Sequence, residues 1–133
     1  MIDSEVIKLL GKRAIATDCF EWRPGMLVLC SNPVDNHRIV SVEEDALYIR
    51  QNQTRFGRIQ PDCSDPATIG CLLYLVRDLH KMPTIWTVER DGIWYCCWSG
   101  ATHGGDLGSG ASEAEALVSA LEDFDYTANR IKK

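Results

Sequence analysis

No apolar stretch of this sequence is long enough to cross a bilayer. The longest, Cys71-Leu72-Leu73-Tyr74-Leu75-Val76, falls far short of the ~20 residues that a spanning helix needs. The N-terminus, Met1-Ile2-Asp3-Ser4-Glu5, is acidic where a secretory signal would be basic. These absences predict a cytoplasmic protein with no membrane partner. Positive charge is scarce too: 14 Lys and Arg against 19 Asp and Glu leave a formal net charge of −5. Such a chain gains little from counterion release, so DNA is not an expected partner.

Ligand motifs are missing as well. The six cysteines, Cys19, Cys30, Cys63, Cys71, Cys96 and Cys97, form no Cys-x-x-Cys pair, and in a reducing compartment they are expected to be free and mostly buried. A zinc set of Cys19, Cys30, His37 and Cys63 is conceivable by residue type, but its spacing matches no zinc pattern. No metal or other cofactor is expected. Cys96-Cys97 and His103 suggest thiol chemistry only if a base and an orienting group converge on the thiol, and the sequence shows neither. Cys97 is expected to face the core. His37, His80 and His103 stand in unrelated contexts, and Asp123 and Asp125 read as a solvated helix face. The chain reads as non-enzymatic.

What is present is the composition of a globular protein, 45% hydrophobic and 25% charged. The 133 residues fit one domain. Residues 1–62 read as a helix and a small antiparallel sheet, and 63–133 as a helix–β-hairpin–helix unit; the fold class is α+β. The first helix is expected over Ser4 to Ala14, from Val6, Ile7, Leu9 and Leu10 at helical spacing, with Gly11 loosening its end. Pro24-Gly25 marks a turn. Short strands are expected at Met26 to Cys30, Arg38 to Val42, Leu47 to Arg50 and Phe56 to Gln60. Asn32-Pro33 and Asp35-Asn36 should break the chain, and Gln51 to Arg55 reads as a polar turn.

Asp65-Pro66 is a helix start: Asp65 suits the N-cap and Pro66 the first helical position. The helix should run to about His80, apolar over most of its girth. Gly70 within it suggests a close backbone neighbour. Asp91-Gly92 between β-rich runs is a type I′ hairpin signal. The two-residue turn sets Arg90 opposite Ile93, Val88 opposite Tyr95 and Trp86 opposite Cys97 on a largely apolar face. Glu89 with Trp94, Thr87 with Cys96 and Ile85 with Trp98 share the other. Both faces are expected to be covered, one by the chain's own helices. Ser112 and Glu115 form a capping box for the last helix, whose buried stripe is Leu117, Leu121, Phe124 and Ala128.

Three clusters are candidates for binding. Trp94 and Trp98, on the mixed-polarity face, are better placed than Trp86 to stack a purine-like base; their bland alternative is core or subunit contact. Gly100, Gly104, Gly105, Gly108 and Gly110 precede a helix N-terminus without a P-loop ending or dinucleotide spacing. They read as a flexible lid or plain loop, with Thr102, His103 and Ser109 as polar contacts. Arg50, Arg55 and Arg58 form a basic strip that suits phosphate or serves as surface charge.

The segment Asp65-Pro66-Ala67-Thr68-Ile69-Gly70-Cys71-Leu72-Leu73, the tryptophan-rich hairpin, and Glu113-Ala114-Glu115-Ala116-Leu117-Val118 together resemble a group of small phage and prophage proteins. Their order is similar to the phage α–β–α sandwich domain, and the Arg23-Pro24-Gly25-Met26 turn resembles the front end of the same proteins. The resemblance supplies no catalytic residues. It implies an accessory, counter-defence factor in the cytoplasm of a host bacterium, sequestering a small nucleotide-derived signal. The ligand-binding residues expected are Trp94, Trp98, Thr102, His103, Ser109, Arg55 and Arg58, in a homo-oligomer. The alternatives are a protein–protein module that masks a host protein, and a structural phage protein.

Overall fold

The computed structural model describes residues 4–31, 34–43, 46–49, 52–55, 59–99 and 104–131. The chain adopts the α+β class expected: three helices and two antiparallel sheets, with eight strands among the described residues. Helix α1 spans Ser4–Ala16. It ends where Thr17 turns back, its N–H and Oγ1 both donating to the Ala14 carbonyl. Of its apolar stripe, Leu10 enters the core with Ala14, while Val6 and Leu9 are exposed. Gly11 does not loosen the helix. A Cβ there would lie 2.6 Å from Gln60 Nε2 and 2.8 Å from the Pro61 carbonyl oxygen, so Gly11 lets α1 cross a strand at close range.

The first sheet holds β1 (Leu27–Ser31), β2 (Val34–Glu43), β3 (Ala46–Ile49), β4 (Asn52–Arg55) and β5 (Ile59–Pro61), in the order β4-β3-β2-β1-β5. The first half of β2 pairs with β1 and the second half with β3. Strand β1 is entered from a turn in which Arg23 O accepts from Met26 N–H; Gly25 supplies the φ of +99° that the third turn position requires. Two readings of polar residues need correction. Asp35-Asn36 does not break the chain but lies within β2, opposite Cys30 and Leu29. Asn52 to Arg55 is no turn but strand β4, paired with β3. Ladder bonds run between backbones whatever the side chain, and an edge strand tolerates polar residues on both faces. Phe56 lies outside the described residues, as does Asn32-Pro33.

Helix α2 (Pro66–His80) starts as its sequence dictates. Asp65 caps it, Oδ2 accepting from Thr68 N–H and from Thr68 Oγ1. The same carboxylate takes a two-pronged contact from Arg38, at 2.9 and 3.0 Å, and the fully buried Thr68 Oγ1 accepts from Leu27 N–H on β1. One cap therefore ties α2 to two strands of the first sheet. Gly70 has no close neighbour: nothing lies within 4 Å of a Cβ built there. With helical backbone and open space, Gly70→Ala is expected to stabilise the fold by up to about 1 kcal/mol, read as a raised urea midpoint at unchanged m-value.

The second sheet is β6 (Trp86–Arg90), β7 (Ile93–Ser99) and β8 (Gly104–Gly110), in that order. The hairpin register is the one the Asp91-Gly92 turn dictates, with Trp86↔Cys97, Val88↔Tyr95 and Arg90↔Ile93 on one face and Thr87↔Cys96 and Glu89↔Trp94 on the other. Asp91 and Gly92 have φ of 53° and 82°, as a type I′ turn needs. The glycine segment is where the fold departs from the loop reading: Gly104–Gly110 is a third strand on β7, with a bulge opposite Cys96 and Cys97. Helix α3 (Glu113–Ile131) lies across it. A Cβ on Gly108 would sit 2.4 Å from the Ala116 carbonyl oxygen and 2.6 Å from Ala120 N. The glycine lets the helix backbone rest on the strand.

A single core joins both sheets and all three helices: Leu10, Met26, Val28, Leu72, Leu75, Ile85, Leu117 and Leu121 are at most 1% exposed. Arg13 of α1 fastens α3 from outside it, donating to both Glu122 carboxylate oxygens, to Glu115 and to Ser119. The Arg77 Nε donor on the Ile85 carbonyl, at 2.8 Å, ties the end of α2 to the start of β6. Among the described residues no helix is long and apolar enough to cross a membrane.

Candidate functional site

The two faces of the β6-β7-β8 sheet meet different surroundings. The inner face rests on α3. Cys96 is fully buried there, Trp94, Trp98 and Leu107 pack on the core, and Thr87 Oγ1 donates to Glu113 at the start of α3. The outer face carries Trp86, Val88 and Arg90 of β6, Ile93, Tyr95 and Cys97 of β7, and Asp106 and Ser109 of β8. Trp86 is 38% exposed and Ile93 45%; Arg90, Asp106 and Ser109 are exposed and Val88 and Tyr95 half-buried. The Arg90 guanidinium stands 5.6 Å from the Tyr95 ring centroid, in range of a cation–π contact. Cys97 is shielded at 3% exposure, its thiol 3.3 Å from Asp106 Oδ1. It belongs to this face and not to the core.

The residues singled out from the sequence do not gather in one place. Trp94 and Trp98 lie on the inner face, with Gly105 close against the Trp98 indole (a Cβ there would be 3.1 Å from Nε1). Packed between sheet and helix, they contribute area to the core. Ser109 sits on the outer face opposite Tyr95, and its carbonyl accepts from Ser119 Oγ. Arg55 ends β4, opposite Ala46, in the other sheet. Arg50, Arg58, Thr102 and His103 lie outside the described residues. The hairpin tryptophan left exposed is Trp86, which the Asp91-Gly92 register sets on one face with Tyr95 and Arg90. The inner face is the one that aligns with the small residues Gly105, Gly108 and Gly110, which a helix can approach.

Thiol chemistry has no support in these surroundings. Burial pushes Cys19, Cys63 and Cys96 up to about 12, and desolvation also raises Cys71 and Cys97. A protonated thiol is a poor nucleophile. Cys96 and Cys97 point to opposite faces of β7. Among the described residues no cluster of His, Cys, Asp and Glu is gathered to hold a metal. His80 packs edge-on against Phe124 with its Nε2 buried and without a hydrogen-bond partner; desolvation lowers its pKa and favours the neutral ring. A shallow groove of about 360 Å³ lies beside the end of α2, lined by Tyr74, Arg77, Asp78, Lys81, Met82 and Pro83. Its charged lining is mixed, Arg77 and Lys81 beside Asp78 at the C-terminal end of the helix. No family model matches the chain, no curated protein is similar to it, and no solved structure matches it.

Proposed function

We propose that this protein is a non-catalytic binding protein that works by protein–protein contact through the outer face of its three-stranded sheet. The observation that carries the reading is the exposure of Trp86 and Ile93 beside Val88 and Tyr95, rimmed by Arg90 and Asp106. Aromatic anchors within a charged rim are the make-up of a protein contact surface. In the setting the phage resemblance implies, such a face would mask a host protein or hold an assembly together. Site-specific photo-crosslinking in the producing cell tests this. A crosslinker in place of Trp86 is expected to give a discrete adduct, lost on Tyr95→Asp. One in place of Tyr126, exposed on α3, is expected to give none. Equal smears from both positions would contradict the reading.

Sequestration of a nucleotide signal is a second reading of the same face, favoured by Arg90 over the Tyr95 ring. A base stacked near Trp86 would use that cation–π pair in place of Trp94 and Trp98. It predicts a raised melting midpoint with a cyclic nucleotide or a cyclic ADP-ribose isomer. A panel that leaves the midpoint unmoved would contradict it.

A further inference from the structure

We infer that the occupant of the outer sheet face is a second copy of this chain, seated about a twofold axis that pairs Arg90 of each copy with Asp106 of the other. The inference rests on the protein–protein reading above and names the partner. The register lays the face out as a grid. Trp86, Cys97 and Asp106 form one row, Val88, Tyr95 and Ser109 the next, and Arg90 and Ile93 the third. Arg90 and Asp106 thus occupy diagonally opposite corners, and Tyr95 the centre. With strands ~4.8 Å apart and ~6.8 Å between alternate residues of a strand, the two corners are roughly 17 Å apart.

A twofold interface must be self-complementary: whatever a residue meets on the partner must meet it in return. A twofold axis lying in the plane of the contact acts on the grid as a reflection. An axis along the strands leaves Arg90 and Asp106 unmatched, and one along their diagonal sets like charge on like charge. The axis across that diagonal, through Tyr95 and near Trp86, superposes Arg90 on the partner's Asp106 and Asp106 on the partner's Arg90. It stacks the two Tyr95 rings at the centre and brings the two Trp86 rings together beside them. Strands of the two copies then cross at a steep angle, the orthogonal mode of sheet packing. Opposite charges at the rim would fix this orientation against the others. The grid is small beside a standard interface, so the dimer is reversible and concentration-dependent.

Sedimentation velocity of the full chain at low salt, over a concentration series, tests the pairing. Wild type is expected to reach the dimer. Arg90→Asp alone and Asp106→Arg alone each place two like-charge contacts in the interface and should weaken association at least about tenfold. The double swap R90D/D106R restores opposite charges and should recover the dimer, which also shows that the single variants fail by contact and not by misfolding. A wild type that stays monomeric at about 1 mM overturns the second copy as partner. The protein–protein reading then stands or falls on the Trp86 adduct. A dimer indifferent to all three variants overturns the pairing; if amide exchange then places its interface away from β6 and β7, the reading of this face falls with it.

Discussion

Gly108→Ala is expected to cost about 3 kcal/mol, the upper end of the usual range for over-filling a packed interior. The added methyl would meet the Ala116 carbonyl oxygen at 2.4 Å and Ala120 N at 2.6 Å. Both are helix backbone, so no rotamer change clears the space. Either α3 lifts from β8, opening the core around Leu117 and Leu121, or the strand leaves β7. Against a total stability of ~5–15 kcal/mol, the loss is severe, and a melting midpoint lowered by roughly 12 °C is the expected readout. Gly70→Ala makes the same chemical change in open space and should move the midpoint up. A glycine segment serving as a mobile lid would take alanine at 108 with little change.

Asp65→Ala carries the second large effect, about 2 kcal/mol, at the upper end for losing an N-cap. The carboxylate accepts the Thr68 N–H that the first turn leaves unpaired, and it holds the Thr68 hydroxyl in place to accept from Leu27 N–H. Truncation frees a buried threonine and the backbone it serves. The Arg38 guanidinium is solvent-facing and adds orientation more than energy. It is nonetheless the main cause that holds the Asp65 pKa below the ordinary carboxylate value, ahead of the Thr68 bonds. A depressed folded-state pKa means that the unfolded chain binds the proton first. The contribution is thus whole above pH ~4 and is lost as pH falls through the lower, folded value. Urea unfolding from pH 7 to pH 2 should show a shallower acid loss in Asp65→Ala than in wild type. Equal slopes would contradict the cap as a charged one.

Local signals were legible where a short motif decides the backbone. Asp65-Pro66 started α2, and Asp91-Gly92 set the register of β6 on β7, because caps and two-residue turns act over a few residues. Ser112 Oγ accepts from Glu115 N–H as a capping box requires, although Glu115 Oε1 takes the N–H of Ala111 and not that of the cap. Strand β8 was not legible. Glycine has weak strand propensity, and seven residues with four glycines read as a loop until α3 is laid across them. The same tertiary fact decides the two faces of the hairpin, both of which the sequence predicts to be covered, with Cys97 toward the core. Helix approach selects small opposing residues, and these lie behind Trp94, Cys96 and Trp98, so α3 covers that face and Trp86 and Ile93 on the other stay exposed. The Arg13 contacts were missed as well, although Glu115, Ser119 and Glu122 recur at helical spacing along one side of α3.

Both the openness of the Trp86 face and the corner position of Asp106 depend on residues 104–110 forming a strand against β7. Residue-resolved amide hydrogen exchange measures this directly. As an edge strand, β8 should show alternate amides protected, those bonded to β7, to a degree approaching the amides of β7. Uniformly fast exchange across 104–110, beside protected amides in β6 and β7, would contradict the account.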